Sequence, residues 1–106
     1  MDSFLEQIKG IHLNPKAIID AGGTIDGQLL EEHRGILIKK VGDLSEEARV
    51  RIRQDRQKQI KEARNKDISQ DELKQVLKNI DRWVEIGENT IVLLEDSKIK
   101  ELNEQT

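Results

Sequence analysis

The chain has no cysteine and no tyrosine, and only one proline, one phenylalanine and one tryptophan. Without cysteine it can hold no disulfide, no thiolate metal site and no thiol nucleophile. So few aromatic rings leave little for stacking on single-stranded bases. Trp83 stands at helical spacing from Ile80 and Gly87, as a packing residue does. Apolar runs extend only a few residues, far short of the roughly 20 needed to cross a bilayer. Met1-Asp2-Ser3 opens without the basic and apolar stretches of a secretory signal, so a bacterial cytoplasm or an organelle matrix is the expected compartment.

The usual tools of catalysis are equally sparse. His12 and His33 are isolated from each other and from carboxylates at ligand spacing. Ser3, Ser45, Ser69 and Ser97 have no neighbouring histidine. Gly22-Gly23 lacks the lysine and the following helix of a phosphate loop. The sequence reads as a protein that is not an enzyme, with no cofactor and no metal.

What is abundant is charge on helical periodicity. The 106 residues are 37% charged and 35% apolar, enough for one small domain. Residues 1–28 read as a weakly structured lead-in. Within it Leu5, Ile8 and Ile11 fit one face of a short helix, Asn14-Pro15 reads as a turn, and Gly22-Gly23 breaks any regular element. Residues 29–106 read as a long helical hairpin. Leu37, Val41, Leu44, Ala48 and Ile52 recur at spacings of three and four, which predicts a helix from Leu30 to Lys66. Gly42-Asp43 with Glu46 resembles a break and a fresh cap, but one glycine costs only about 1 kcal/mol in a helix. A single continuous helix is the better reading.

Lys66-Asp67-Ile68-Ser69 is the expected turn, and Ser69-Gln70-Asp71-Glu72 forms a capping box. The second helix carries Leu73, Leu77, Ile80, Val84, Gly87, Ile91 and Leu94 near heptad spacing and runs to about Leu102. The fold class is therefore mainly α, with two long antiparallel helices. Trp83, Ile86, Val92 and Leu93 widen the second helix's apolar surface beyond one stripe. Two helices cannot cover all of it, which favours a partner helix or self-association into a homodimer.

Charge is unevenly spread. From Arg49 to Lys66 eight basic residues face only Asp55 and Glu62, a net of +6, while the remainder of the chain carries -9. Arg49, Arg53, Arg56 and Arg64 fall within about 80° on a helical projection. Lys58 and Lys61 belong to the same run. A guanidinium row left without carboxylates suits phosphate oxygens, and with so few aromatics it suits the backbone of folded RNA. A sequence-specific DNA reader is disfavoured, because the Lys66–Ser69 turn reverses the chain instead of setting a helix across a groove.

Several stretches resemble the ribosome recycling factor family. Glu47-Ala48-Arg49-Val50-Arg51-Ile52-Arg53-Gln54-Asp55-Arg56 is similar to a stretch of that family's long middle helix. Lys66-Asp67-Ile68-Ser69-Gln70-Asp71-Glu72 is similar to the turn into its last helix. Leu29-Leu30-Glu31-Glu32-His33-Arg34 and Leu13-Asn14-Pro15 resemble segments on the amino-terminal side, and the likeness runs ungapped from Leu13 to about Leu102.

The resemblance implies a protein that acts with elongation factor G to split post-termination ribosomes, through a three-helix domain lying on large-subunit rRNA. It implies Arg49, Arg53 and Arg56 as rRNA-contacting residues; Lys58, Lys61 and Arg64 match less closely. The likeness covers the family's carboxy-terminal three-fifths. The helix that begins the family's bundle and most of its β domain have no counterpart, and residues 1–28 stand where that domain ends. Ile25-Asp26-Gly27-Gln28 replaces the hinge strand, and Gly35 and Gly42 stand at unusual positions. The implied fold is an incomplete three-helix bundle, which two hairpins could complete by pairing.

Overall fold

The computed structural model describes residues 2–14 and 27–105. Among these residues the helices are α1 (Asp2–Lys9), α2 (Gly27–Arg64) and α3 (Gln70–Glu104). No strand is present among the described residues. Helices α2 and α3 pack antiparallel as a hairpin, and the molecule is a rod of 66 × 21 × 16 Å.

Helix α2 passes through Gly42-Asp43 without interruption. The fresh cap offered by Asp43 and Glu46 is not used, and within the unbroken helix the fully buried Ser45 donates its hydroxyl to the Val41 carbonyl at 2.8 Å. The helix ends at Arg64, two residues before the expected boundary, and Asn65 to Ile68 turn the chain through short backbone bonds. Ser69 then caps α3: its hydroxyl oxygen accepts the Glu72 N–H at 3.1 Å. The reciprocal bond from the Glu72 carboxylate is not formed among the described residues, so half of the predicted box operates. Ser69→Ala is expected to lower stability by about 1 kcal/mol in chemical denaturation, the usual worth of an N-cap.

The two long helices approach closely at a glycine of α3. A Cβ built on Gly87 would lie 2.9 Å from Ile52 Cδ1. Val41, Ala48 and Ile52 of α2 meet Ile91 and Leu102 of α3 along this seam. These are members of the two predicted stripes, except Leu102, which extends the second one by two turns.

The amino-terminal segment departs from the sequence reading. Within the stretch read as a weakly structured lead-in, residues 2–9 are helical and residues 10–13 follow as packed irregular chain: Phe4, Ile8, Ile11 and Leu13 are four of the ten buried hydrophobic residues among those described. Eight residues are too few for an isolated helix, so tertiary burial holds α1 in shape. Phe4 shares a crevice with Ala48, Ile52 and Trp83, whereas Ile11 lies by Lys40 and Leu44. Helix α1 therefore runs antiparallel to α2, in the groove between the hairpin helices, and supplies a short third helix. Beyond α1, Leu13 N–H donates to Gln105 Oε1 at 3.0 Å, and the Lys98 ammonium donates to the Ile11 carbonyl at 2.9 Å. The expected turn at Pro15, the unclassified stretch after it and the Gly22-Gly23 break lie outside the described residues.

Candidate nucleic-acid interface

The basic run occupies the half of α2 nearest the turn. Its arginines are not left without carboxylates, and this corrects the expectation of an uncompensated row. Arg49 Nη2 donates to Glu95 Oε2 at 3.1 Å and its Nη1 lies 3.6 Å from Glu46. Arg53 pairs with the other Glu46 oxygen at 3.6 Å, and Arg56 Nε donates to Asp81 at 3.2 Å. The reason is register. Glu46 stands just before the basic run, and antiparallel packing brings Glu95 and Asp81 alongside from α3. A charge count along one segment sees none of them.

The three pairs differ in character. The side chains of Arg49 and Glu95 are 24% and 22% exposed, and their bond ties α2 to α3. Arg49 is thereby a clamp between the helices. Arg49→Ala strands the Glu95 carboxylate in a half-buried site and is expected to cost about 1–2 kcal/mol of stability, read as a lowered midpoint in urea. Arg53 is 59% exposed and so is its carboxylate at 58%. A pair that wet contributes about 0–1 kcal/mol, so a phosphate can replace the carboxylate at little cost. Arg56 is intermediate.

Lys58, Lys61 and Arg64 are exposed and make no ion pair among the described residues. Arg51 and Lys66 on the same run, and Lys74, Lys78 and Arg82 on α3, share that property. Antiparallel register makes residues 49–88 the turn half of the hairpin. This half holds eleven basic and eight acidic side chains, against seven and thirteen elsewhere, so a net of +3 faces a net of -6 along the rod. The cations nearest the turn are thus the available ones.

The apolar residues singled out in α3 are exposed: Trp83 at 49%, Ile86 at 60%, Val92 at 43% and Leu93 at 70%. Trp83, Ile86 and Leu93 share one side of the helix. Val92 lies about 180° round from Trp83 and does not join them.

Two cations with structural roles escaped the sequence reading. Arg34 donates to the Asn103 and Gln105 carbonyls at 3.0 and 2.7 Å, capping the end of α3 from across the hairpin. Lys98 is buried and holds both Glu101, at 2.6 Å, and the Ile11 carbonyl. The lone lysine in the predicted inner face of α3 was the available signal for the second; the first needed the register.

His12 Nδ1 lies 3.1 Å from the Gly10 carbonyl. No group of three or more His, Asp or Glu among the described residues is arranged to hold a metal. No helix of these residues is long and apolar enough to cross a membrane.

No curated protein and no solved structure matches the chain. The family model of ribosome recycling factor matches residues 24–102, which takes in the whole of α2, the turn and all but the last two residues of α3. The matched stretch is the hairpin itself, and the eight-residue α1 lies outside it. The chain belongs to the ribosome recycling factor family, whose members are translation factors and not enzymes.

Proposed function

We propose that this chain binds the large ribosomal subunit through rRNA and, with elongation factor G, promotes disassembly of post-termination ribosomes in a bacterial cytoplasm or an organelle matrix. Family membership supplies the class of function. The observation that carries the binding mode is the set of unpaired cations Lys58, Lys61 and Arg64 on the exposed face of one stiff helix. Arg53 and Arg56 adjoin them and exchange their solvent-facing carboxylates for phosphates. Arg49 contributes by fixing the helix that displays the others.

The binding is to backbone and shape. A rigid rod with cations repeating along one helix face can follow a phosphate track, and the chain has little aromatic surface for bases. Residues 1–28 stand where the family's β domain and hinge end. Helix α1 covers part of the groove that a full first helix would fill.

Cosedimentation with isolated large subunits tests this reading. Binding at low salt that fades steeply as salt is raised is the expected result, because each neutralised phosphate releases counterions. Failure to pellet with the subunit even at low salt overturns it. Addition of elongation factor G and GTP to post-termination complexes then reads recycling itself.

A further inference from the structure

Helix α3 carries a second heptad pattern that the packing of α1 and α2 leaves largely exposed. Its inner stripe meets α2, but Trp83, Ile86, Thr90 and Leu93 recur at spacings of three, four and three on an outer face. Val76 and Asn79 extend the pattern one way and Ser97 the other. Trp83, Ile86 and Leu93 remain about half exposed or more with α1 in place. The Thr90 hydroxyl donates to the Ile86 carbonyl at 2.7 Å, so it brings no unmet hydrogen bond to this face.

We propose that this outer seam is a homodimer interface in which α3 packs antiparallel against α3 of a second copy, with the two-fold axis passing between Ile86 and Thr90. In that register Trp83 lies level with Leu93 of the second copy, and Ile86 level with Thr90. Asn79 meets Ser97, polar against polar. Every pairing occurs twice, as an isologous contact requires.

Charge selects both the occupant and the direction. Arg82 and Asp96 border the seam on the edge away from the inner stripe, and neither makes an ion pair among the described residues. The antiparallel register sets Arg82 of each copy beside Asp96 of the other. A parallel pair sends the Arg82–Asp96 edges of the two copies to opposite sides of the seam, so these pairs do not form, and it stacks Trp83 on Trp83. The seam is thus complementary to itself in one direction only. It lies on α3, whereas the proposed rRNA-binding cations lie on α2, so the two readings fail independently.

Sedimentation of the full chain over the micromolar range tests the interface. Concentration-dependent dimers are expected. Leu93→Asp, at an exposed site, is expected to abolish them with helicity unchanged. Arg82→Glu is expected to weaken them at least about tenfold, with recovery in the Arg82→Glu/Asp96→Arg double variant. A chain monomeric throughout, or a double variant no stronger than the single one, overturns the proposal. Because the chain has no cysteine, Asn89→Cys introduces a unique thiol close to the axis. A short bismaleimide is expected to join two Asn89→Cys chains and to leave Gln75→Cys chains unlinked, since the latter sites are about 40 Å apart in the antiparallel pair. Linkage at both positions overturns the antiparallel arrangement.

Discussion

Phe4→Ala is expected to release α1 from the hairpin while most of α2 and α3 stays helical. Phe4 is 3% exposed and packs in the crevice with Ala48, Ile52 and Trp83. Emptying such a site usually costs about 3–5 kcal/mol. Here the loss has a ceiling. Helix α1 has eight residues and no stability of its own, so it undocks once the cost exceeds its docking free energy. Native-state hydrogen exchange is the measurement. Amides in residues 5–9, within α1, are expected to lose protection almost completely, whereas those near Val41 and Ile91 lose only part of theirs. Lys98 loses the Ile11 carbonyl and the Leu13 amide loses Gln105 in the same event, which couples α1 to the far end of α3. Uniform loss across all three helices would mean that α1 and the hairpin unfold as one unit.

Reversing the cations at the turn end is the second change with a large effect. Lys58→Glu/Lys61→Glu/Arg64→Glu removes three positive charges and adds three negative ones on exposed positions that make no ion pair among the described residues. Surface changes of this kind alter folding stability little. Affinity for the large subunit is expected to fall at least about a hundredfold at moderate salt, since phosphate contacts dominate such binding and the new carboxylates repel them. The paired residues form an internal comparison. Arg53→Ala/Arg56→Ala is expected to weaken binding less, because each of these guanidinium groups first gives up a carboxylate. Arg49→Ala is expected to act chiefly through stability. Equal losses for all three variants would show that ion pairing within the protein does not grade the cations.

Much of the hairpin was legible in the sequence because its signals are local. Spacings of three and four from Leu37 to Ile52 and from Leu73 to Leu94 specify two helices, and Ser69 marks where the second begins. Gly42 cost too little to break the first. Helix α1 was half visible: Ile8 and Ile11 sat on the anticipated face, but Phe4 and Leu13 joined the core only once the hairpin groove existed. The candidate site was legible as composition and illegible as pairing. Arg49 and Glu95 are far apart in sequence and 3.1 Å apart in space, and only the antiparallel register relates them. The same register sorts the basic run into a partly buried clamp, exchangeable pairs near the middle, and free cations toward the turn. It likewise separates Val92 from Trp83, Ile86 and Leu93, which a linear list of apolar residues had grouped.

The central claim is that cations near the turn of the hairpin hold ribosomal phosphates. Its most direct test is the slope of log affinity against log salt concentration for large-subunit binding, compared between the natural chain and Lys58→Ala/Lys61→Ala/Arg64→Ala. The account predicts a slope shallower by about 2–3 in the variant, close to one per cation removed. An unchanged slope, with affinity either kept or lost, would contradict it.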